Sequence, residues 1–323
     1  MITTEKNKIK KLLPSILLFL GASVLTIGCE KDNNPLPEQG AKPTIDNIEL
    51  GLGNAGLAMI GEDFHFNSDI VAAERLDKVE IRISQKKGET YSKPWEHAIV
   101  WAQYRDLKNT TVHKHFTIPK DAVEGRYDFL ITVYDQSGSR LEVRRDFAIY
   151  KKETMPVTPI ITQHNLSKNW EPVYDSHGMT DNPKEKFFKG DTLRSQVSIS
   201  FVKGDGIVYM LLIKKSANHN PKTIEEIDFS KSIVYDMYEH RSKPSIYTFG
   251  NAEFDLTTSP FTVIKDLPEL KIGAANDFKS PVANKIDGSK AWESGEYNLV
   301  VIYKNTTENK TVSKSIPFSI DFR

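Results

Sequence analysis

The sequence predicts an all-β protein built as two tandem antiparallel β-sandwiches, and three observations predict it. From Pro43 onward the apolar residues recur with period two: Val79, Ile81 and Ile83 alternate with Lys78, Glu80 and Arg82, and Phe129, Ile131 and Val133 do the same around Thr132. Runs of this kind, bounded by Gly, Pro, Asn and Asp, are strands with one wet face. No long stretch beyond Pro43 carries the 3.6-residue period of an amphipathic helix, although short helical turns suit 93–102 and 222–228. The same order of runs then occurs twice, which suits two domains in 323 residues.

The first 28 residues read as an address. Lys6, Lys8, Lys10 and Lys11 precede an apolar stretch from Leu12 to about Ile27, which ends at Gly28. A basic start, a short apolar core and a small terminal residue make a secretory signal peptide. Cys29, the one cysteine of the chain, follows directly. The arrangement resembles the lipobox of bacterial lipoproteins, which implies that Cys29 is diacylated (palmitate-type chains) and becomes the mature N-terminus. Each buried acyl CH₂ then contributes about 0.8 kcal/mol to a membrane anchor. A plain signal peptide or a membrane anchor would instead leave Cys29 a stray thiol. One cysteine also excludes an intrachain disulfide and a thiolate zinc cluster.

Residues 29–42 form a flexible tether, opened by Glu30-Lys31-Asp32-Asn33-Asn34-Pro35. Its Lys31-Asp32 pair resembles the surface-export signal of Bacteroidota lipoproteins, which usually has two acids after the lysine. The resemblance implies outer-membrane, lipid-anchored display on the cell surface, with a periplasm-facing lipoprotein as the alternative. The chain has 43 Lys+Arg against 43 Asp+Glu, and removal of the first 28 residues leaves 39 against 42. A pI near 7.1 provides no field to gather nucleic acid, which is therefore not an expected partner.

The first sandwich is expected over 43–152 and the second, with long insertions, over 153–323. Gln136-Ser137-Gly138 is a hairpin signal between two strands of the first. Gly61-Glu62-Asp63-Phe64 opens a run that has its counterpart at Gly190-Asp191-Thr192-Leu193, and Gly125-Arg126-Tyr127 has its counterpart at Gly295-Glu296-Tyr297. The first pair of anchors lies 129 positions apart and the second 170, so the second half carries about 41 extra residues before its Gly-x-Tyr strand. The boundary falls near 151–159, where Pro156 and Pro159 interrupt strand pattern. A Gly-x-Tyr start to the penultimate strand resembles the corner tyrosine of immunoglobulin-like domains, whose phenol bonds back to backbone. Residues of about 43–150 also resemble a lipoprotein domain of unknown function widespread in Bacteroidota. The segments that carry this are Pro43-Thr44-Ile45, Gly61-Glu62-Asp63-Phe64-His65-Phe66 and His113-Lys114-His115-Phe116-Thr117-Ile118-Pro119; the second half is only distantly similar. The resemblance implies a class and a compartment, and no established activity.

Catalytic signatures are absent: there is no Gly-x-Ser-x-Gly elbow, P-loop, His-Glu-x-x-His or dinucleotide fingerprint. Adjacent acids such as Glu225-Glu226 diverge and read as solvated surface. The chain is accordingly expected not to be an enzyme. Histidine is the cluster that suggests chemistry. His65, His97, His113 and His115 all fall in the first half. His113 and His115 share one face of their strand about 7 Å apart, opposite the core parity of Val112, Phe116 and Ile118. His65 has wet parity between Phe64 and Phe66. In an immunoglobulin-like order these two strands are neighbours, so three imidazoles share one outer face with Asp63 or Asn67 beside them. Imidazole nitrogen suits a transition metal ion, Cu(II), Zn(II) or Ni(II). The same pattern suits cross-strand pairing on a solvated face, and the sequence leaves both readings open. Asp175-Ser176-His177 with Asp181 forms a polar loop that could hold a cation.

Aromatic residues offer a rival surface. Trp95, Trp101 and Tyr104, with Tyr91 nearby, crowd one segment, and Tyr235, Tyr238, Tyr247 and Phe249 populate the insertion of the second half. Exposed platforms of this kind hold sugars or anchor protein interfaces, and the same residues also suit hydrophobic cover for a sheet edge, the reading the pattern favours. The expected function is a lipid-anchored, non-enzymatic envelope protein that captures a ligand, a metal species or a glycan. By its class, its partner is a TonB-dependent transporter of the outer membrane. An adhesion or structural protein that binds another protein through Trp95 and Trp101 is the alternative, and an unrecognised hydrolase the third.

Overall fold

The computed structural model describes residues 41–176, 185–255, 257–260 and 262–323. The expected signal peptide, Cys29 and the expected tether up to Gly40 lie outside the described residues, as do His177 and Asp181. The described chain is all-β: its helical pieces are short 3₁₀ turns, and none of its helices is long and apolar enough to cross a membrane.

The first half has eight strands: β1 (Thr44–Leu50), β2 (Leu57–Met59), β3 (Asp63–Val71), β4 (Leu76–Gln85), β5 (Glu96–Trp101), β6 (Asn109–Thr117), β7 (Gly125–Asp135) and β8 (Arg140–Tyr150). They form two facing sheets, β1-β3-β6 and β2-β8-β7-β4-β5. Alternation is the cause: each strand turns one parity inward, and Phe64, Phe66, Ile81, Ile83, Phe129, Ile131 and Phe147 meet in one buried cluster. The expected hairpin stands between β7 and β8, with Gly138 at φ +84°, a left-handed turn position that glycine takes without steric cost. The helical turn expected over 93–102 is not there. Glu96–Trp101 is instead an edge strand paired to β4, because its inward parity packs on the sheet while the rest faces water.

The second half contributes β9 (Ile160–Lys168), β10 (Glu171–Tyr174), β11 (Lys186–Phe188), β12 (Thr192–Lys214), β13 (Ser232–Gly250), β14 (Glu253–Asp255), β15 (Thr262–Lys265), β16 (Leu270–Lys271), β17 (Gly295–Asn305) and β18 (Lys310–Asp321). β12 bends at Phe201 and Gly204, where φ is positive, and so serves both faces: its first part pairs with β9 and its last part with β17. β13 follows it antiparallel along most of that length. A second core, from Leu166 to Ile320, fills this half. The extra residues expected before the Gly-x-Tyr strand fall in β13 to β16 and the loop up to β17. The chain passes between cores through 151–159. There Met155 and Val157 join Phe201 and Ile246 in a smaller buried cluster, with Leu57, Met59 and Ile160 packed on it.

Both corner tyrosines are fully buried and bond backward by the same step. Tyr127 Oη donates to the Val123 carbonyl at 2.6 Å, and Tyr297 Oη to the Glu293 carbonyl at 3.1 Å.

A candidate histidine metal centre on the three-stranded sheet

β3 and β6 pair antiparallel with His65 directly opposite His115 and Asn67 opposite His113. Inward parity is spent on Phe64, Phe66 and Val112, so the three imidazoles stand together on the outer face. Their ring centroids lie 4.9, 5.1 and 5.4 Å apart, and one donor nitrogen from each falls within 4.8 Å of the others.

Two carboxylates orient this cluster. His115 Nδ1 lies 2.6 Å from Asp63 Oδ2, and His65 Nε2 lies 3.5 Å from Glu49 Oε2. A carboxylate only accepts, so each acid draws the ring proton to the nitrogen it faces. When both rings are neutral, His65 Nδ1 and His115 Nε2 then turn lone pairs toward each other across 3.4 Å. Such an arrangement calls for a cation between them, either a proton or a metal ion. Two nitrogens on one tetrahedral ion at about 2.0–2.1 Å each stand roughly 3.4 Å apart. The acid–imidazole pairs on the far sides match the outer-shell contacts that fix ring orientation in metal sites. His65 is the sheltered member, its side chain 15% exposed against 53% for His115. Burial holds the His65 imidazole below its ordinary pKa; His113 and His115 push the same way, and Glu49 opposes them. A ring kept neutral is a ready ligand.

Glu49 escaped sequence reasoning, although Asp63 and Asn67 did not. β1 pairs with β3, and its register shifts by one residue between Asp46 and Glu49. This bulge at Asn47, φ +50°, is steadied by the Asn47 amide, which donates to Asp69 at 2.7 Å. The extra residue flips parity: Ile45 packs on the core before it and Leu50 after it, so Glu49 faces out beside His65. Its outward parity against Ile48 and Leu50 was the readable signal; the adjacency of β1 and β3 completes it.

The cluster opens into a cleft of about 850 Å³. Glu49, Leu52, Gly53, His65, Asn67, His113 and His115 line it from the first half, and Ile161, Thr162, Ser176 and Lys314 from the second.

Other candidates are placed elsewhere. His97 lies on β5 in the opposite sheet, stacked on Trp95 at 6.1 Å. The aromatic residues of the first half pack on its core, Trp101 within it and Tyr91, Trp95 and Tyr104 against it. Trp101, 7% exposed, is buried against Phe66 and Phe116, and Trp95 packs on Tyr127 just before the other end of β5. Tyr104 is half-buried beneath the Lys114 ammonium. The strand-end tryptophan had an unfilled sandwich edge to cover, and hydrophobic burial outweighs display. In the second half Tyr235 is fully buried, and Tyr238 stacks on Phe249. Glu225 pairs with Lys304, while Glu226 accepts the Lys222 N–H at 2.7 Å.

Residues 27–150 match the model of a family described as a domain of unknown function (DUF4625). No curated protein matches the chain. Among solved structures, latent PorU from Porphyromonas gingivalis is 9% identical with a TM-score of 0.28, over 90% of this chain and 21% of that one. Salmonella α2-macroglobulin reacted with methylamine is 11% identical with a TM-score of 0.25, over 87% and 15%. E. coli α2-macroglobulin in its native conformation is 10% identical with a TM-score of 0.27, over 88% and 14%. The chain thus spans about a fifth or less of the structures it matches, and these likenesses assign it no activity.

Proposed function

We propose that the protein is a lipid-anchored, non-enzymatic binding protein of the cell envelope that captures a transition metal ion, Cu(II), Zn(II) or Ni(II), through His65, His113 and His115. The observation that carries this reading is the row Glu49–His65–His115–Asp63. In that row, two carboxylate-oriented imidazoles face one another at the separation of two ligands on one ion, with His113 beside them. Cys29 behind a signal peptide supports anchorage in the outer membrane, displayed outward, and delivery to a TonB-dependent transporter is the partner step of this reading. A glycan platform or a protein-docking surface at Trp95 and Trp101 has no such support, since Trp101 is buried.

Calorimetric titration of the purified protein with each of the three ions tests it. One site per chain is expected, lost in the double variant His113→Ala/His115→Ala. Heats that persist unchanged in that variant would mean non-specific binding and end the reading.

A further inference from the structure

The cleft is far larger than an ion needs. A water molecule takes about 30 Å³, so an ion with six waters occupies roughly 200 Å³. The cleft measures about 850 Å³, within the range of small-molecule sites. Three imidazoles also leave at least one coordination position of the metal open. The wall built by the second half carries donors rather than further ligands. Lys314 on β18 lines it and meets no carboxylate among the described residues. Ser176 Oγ accepts the His164 N–H at 3.0 Å, which leaves its own hydroxyl proton to give.

We infer that the ligand is not a bare ion but a metal chelate: a small polycarboxylate complex, its metal bound by His65, His113 and His115 and a remaining carboxylate held by Lys314 and Ser176. The inference rests on the metal reading above and names the substrate class of the same site. An ammonium and a hydroxyl donate to carboxylate oxygens through charge-assisted bonds, and the open metal positions accept the chelator's other donors.

The test is calorimetry on the full-length protein with Zn(II) alone, citrate alone and preformed Zn(II)–citrate, for the native sequence, Lys314→Met and His113→Ala/His115→Ala. Lys314 is half-exposed on a strand, so its replacement leaves the core intact. The native protein is expected to bind the citrate complex at least as tightly as free zinc. Lys314→Met should lose about tenfold for the complex while binding free zinc unchanged. If citrate only competes for zinc, and does so equally in both proteins, the chelate inference falls while the metal site stands. If neither zinc nor its complex binds the native protein, the metal reading itself falls.

Discussion

His164 on β9 has no exposure, and neither of its ring nitrogens meets a partner among the described residues. Burial, with the Lys314 ammonium adding to it, pushes this imidazole down to about 3. The unfolded ring takes a proton near its ordinary value of about 6.5, whereas the folded ring refuses it. Stability is therefore complete above about pH 6.5 and drains away as the pH falls toward 3. Replacement His164→Leu removes this liability. Between pH 7 and pH 4 the variant should lose about 3 kcal/mol less than the native protein in denaturant titrations; equal losses would mean the ring finds a partner. At the metal centre, Asp63→Asn removes the charge that fixes the His115 tautomer. Affinity for Zn(II) should drop about 10–100-fold by calorimetry, with the melting temperature of the metal-free protein little changed.

Among elements, β7 and β17 each open on a glycine followed two residues later by a tyrosine that ties the strand to the preceding loop. Tyr127→Phe strands the Val123 carbonyl in the core and should cost about 1–3 kcal/mol in chemical denaturation. A neutral result would show that water replaces the phenol. This tie was legible from the resemblance of the Gly-x-Tyr strand start to the corner tyrosine of immunoglobulin-like domains. So was the face of the histidines: parity on two strands, plus the neighbour order of an immunoglobulin-like sheet, put the three rings on one outer face, while the register that sets His65 opposite His115 came with the structure. Three things were not legible. Glu49 depends on a bulge whose cue, Asn47, is an ordinary polar residue in sequence. Trp101 suited sheet-edge cover as well as display, and nothing local tells a strand-end aromatic that Phe66 and Phe116 wait beneath it. Nor does local pattern reveal that β12 runs on through Gly204 and Gly206, where small residues bend a strand as readily as they end one.

On the scale of the whole molecule, the two cores are joined where the Met155–Val157 linker, Phe201 and Ile246 meet β2. Gly53, on the first half, sits at φ +60° with Ile160 of the second half where a Cβ would be, 2.4 Å away. Gly53→Ala places a wedge between the halves at a backbone conformation that disfavours alanine. It should cost about 1–3 kcal/mol and split a single calorimetric unfolding transition into two. One unchanged transition would show that the interface yields elsewhere. This contact also explains why the far wall of the cleft was invisible in sequence. Thr162, Ser176 and Lys314 reach the histidines only through the packing of one half on the other, over about a hundred residues or more from His65.

Anomalous diffraction from crystals of the protein grown with Zn(II), collected on both sides of the zinc absorption edge, tests the central claim most directly. The account predicts one strong peak at about 2.0–2.1 Å from nitrogens of His65, His113 and His115. Zinc found only at other surface groups, with these three rings unliganded, would contradict it.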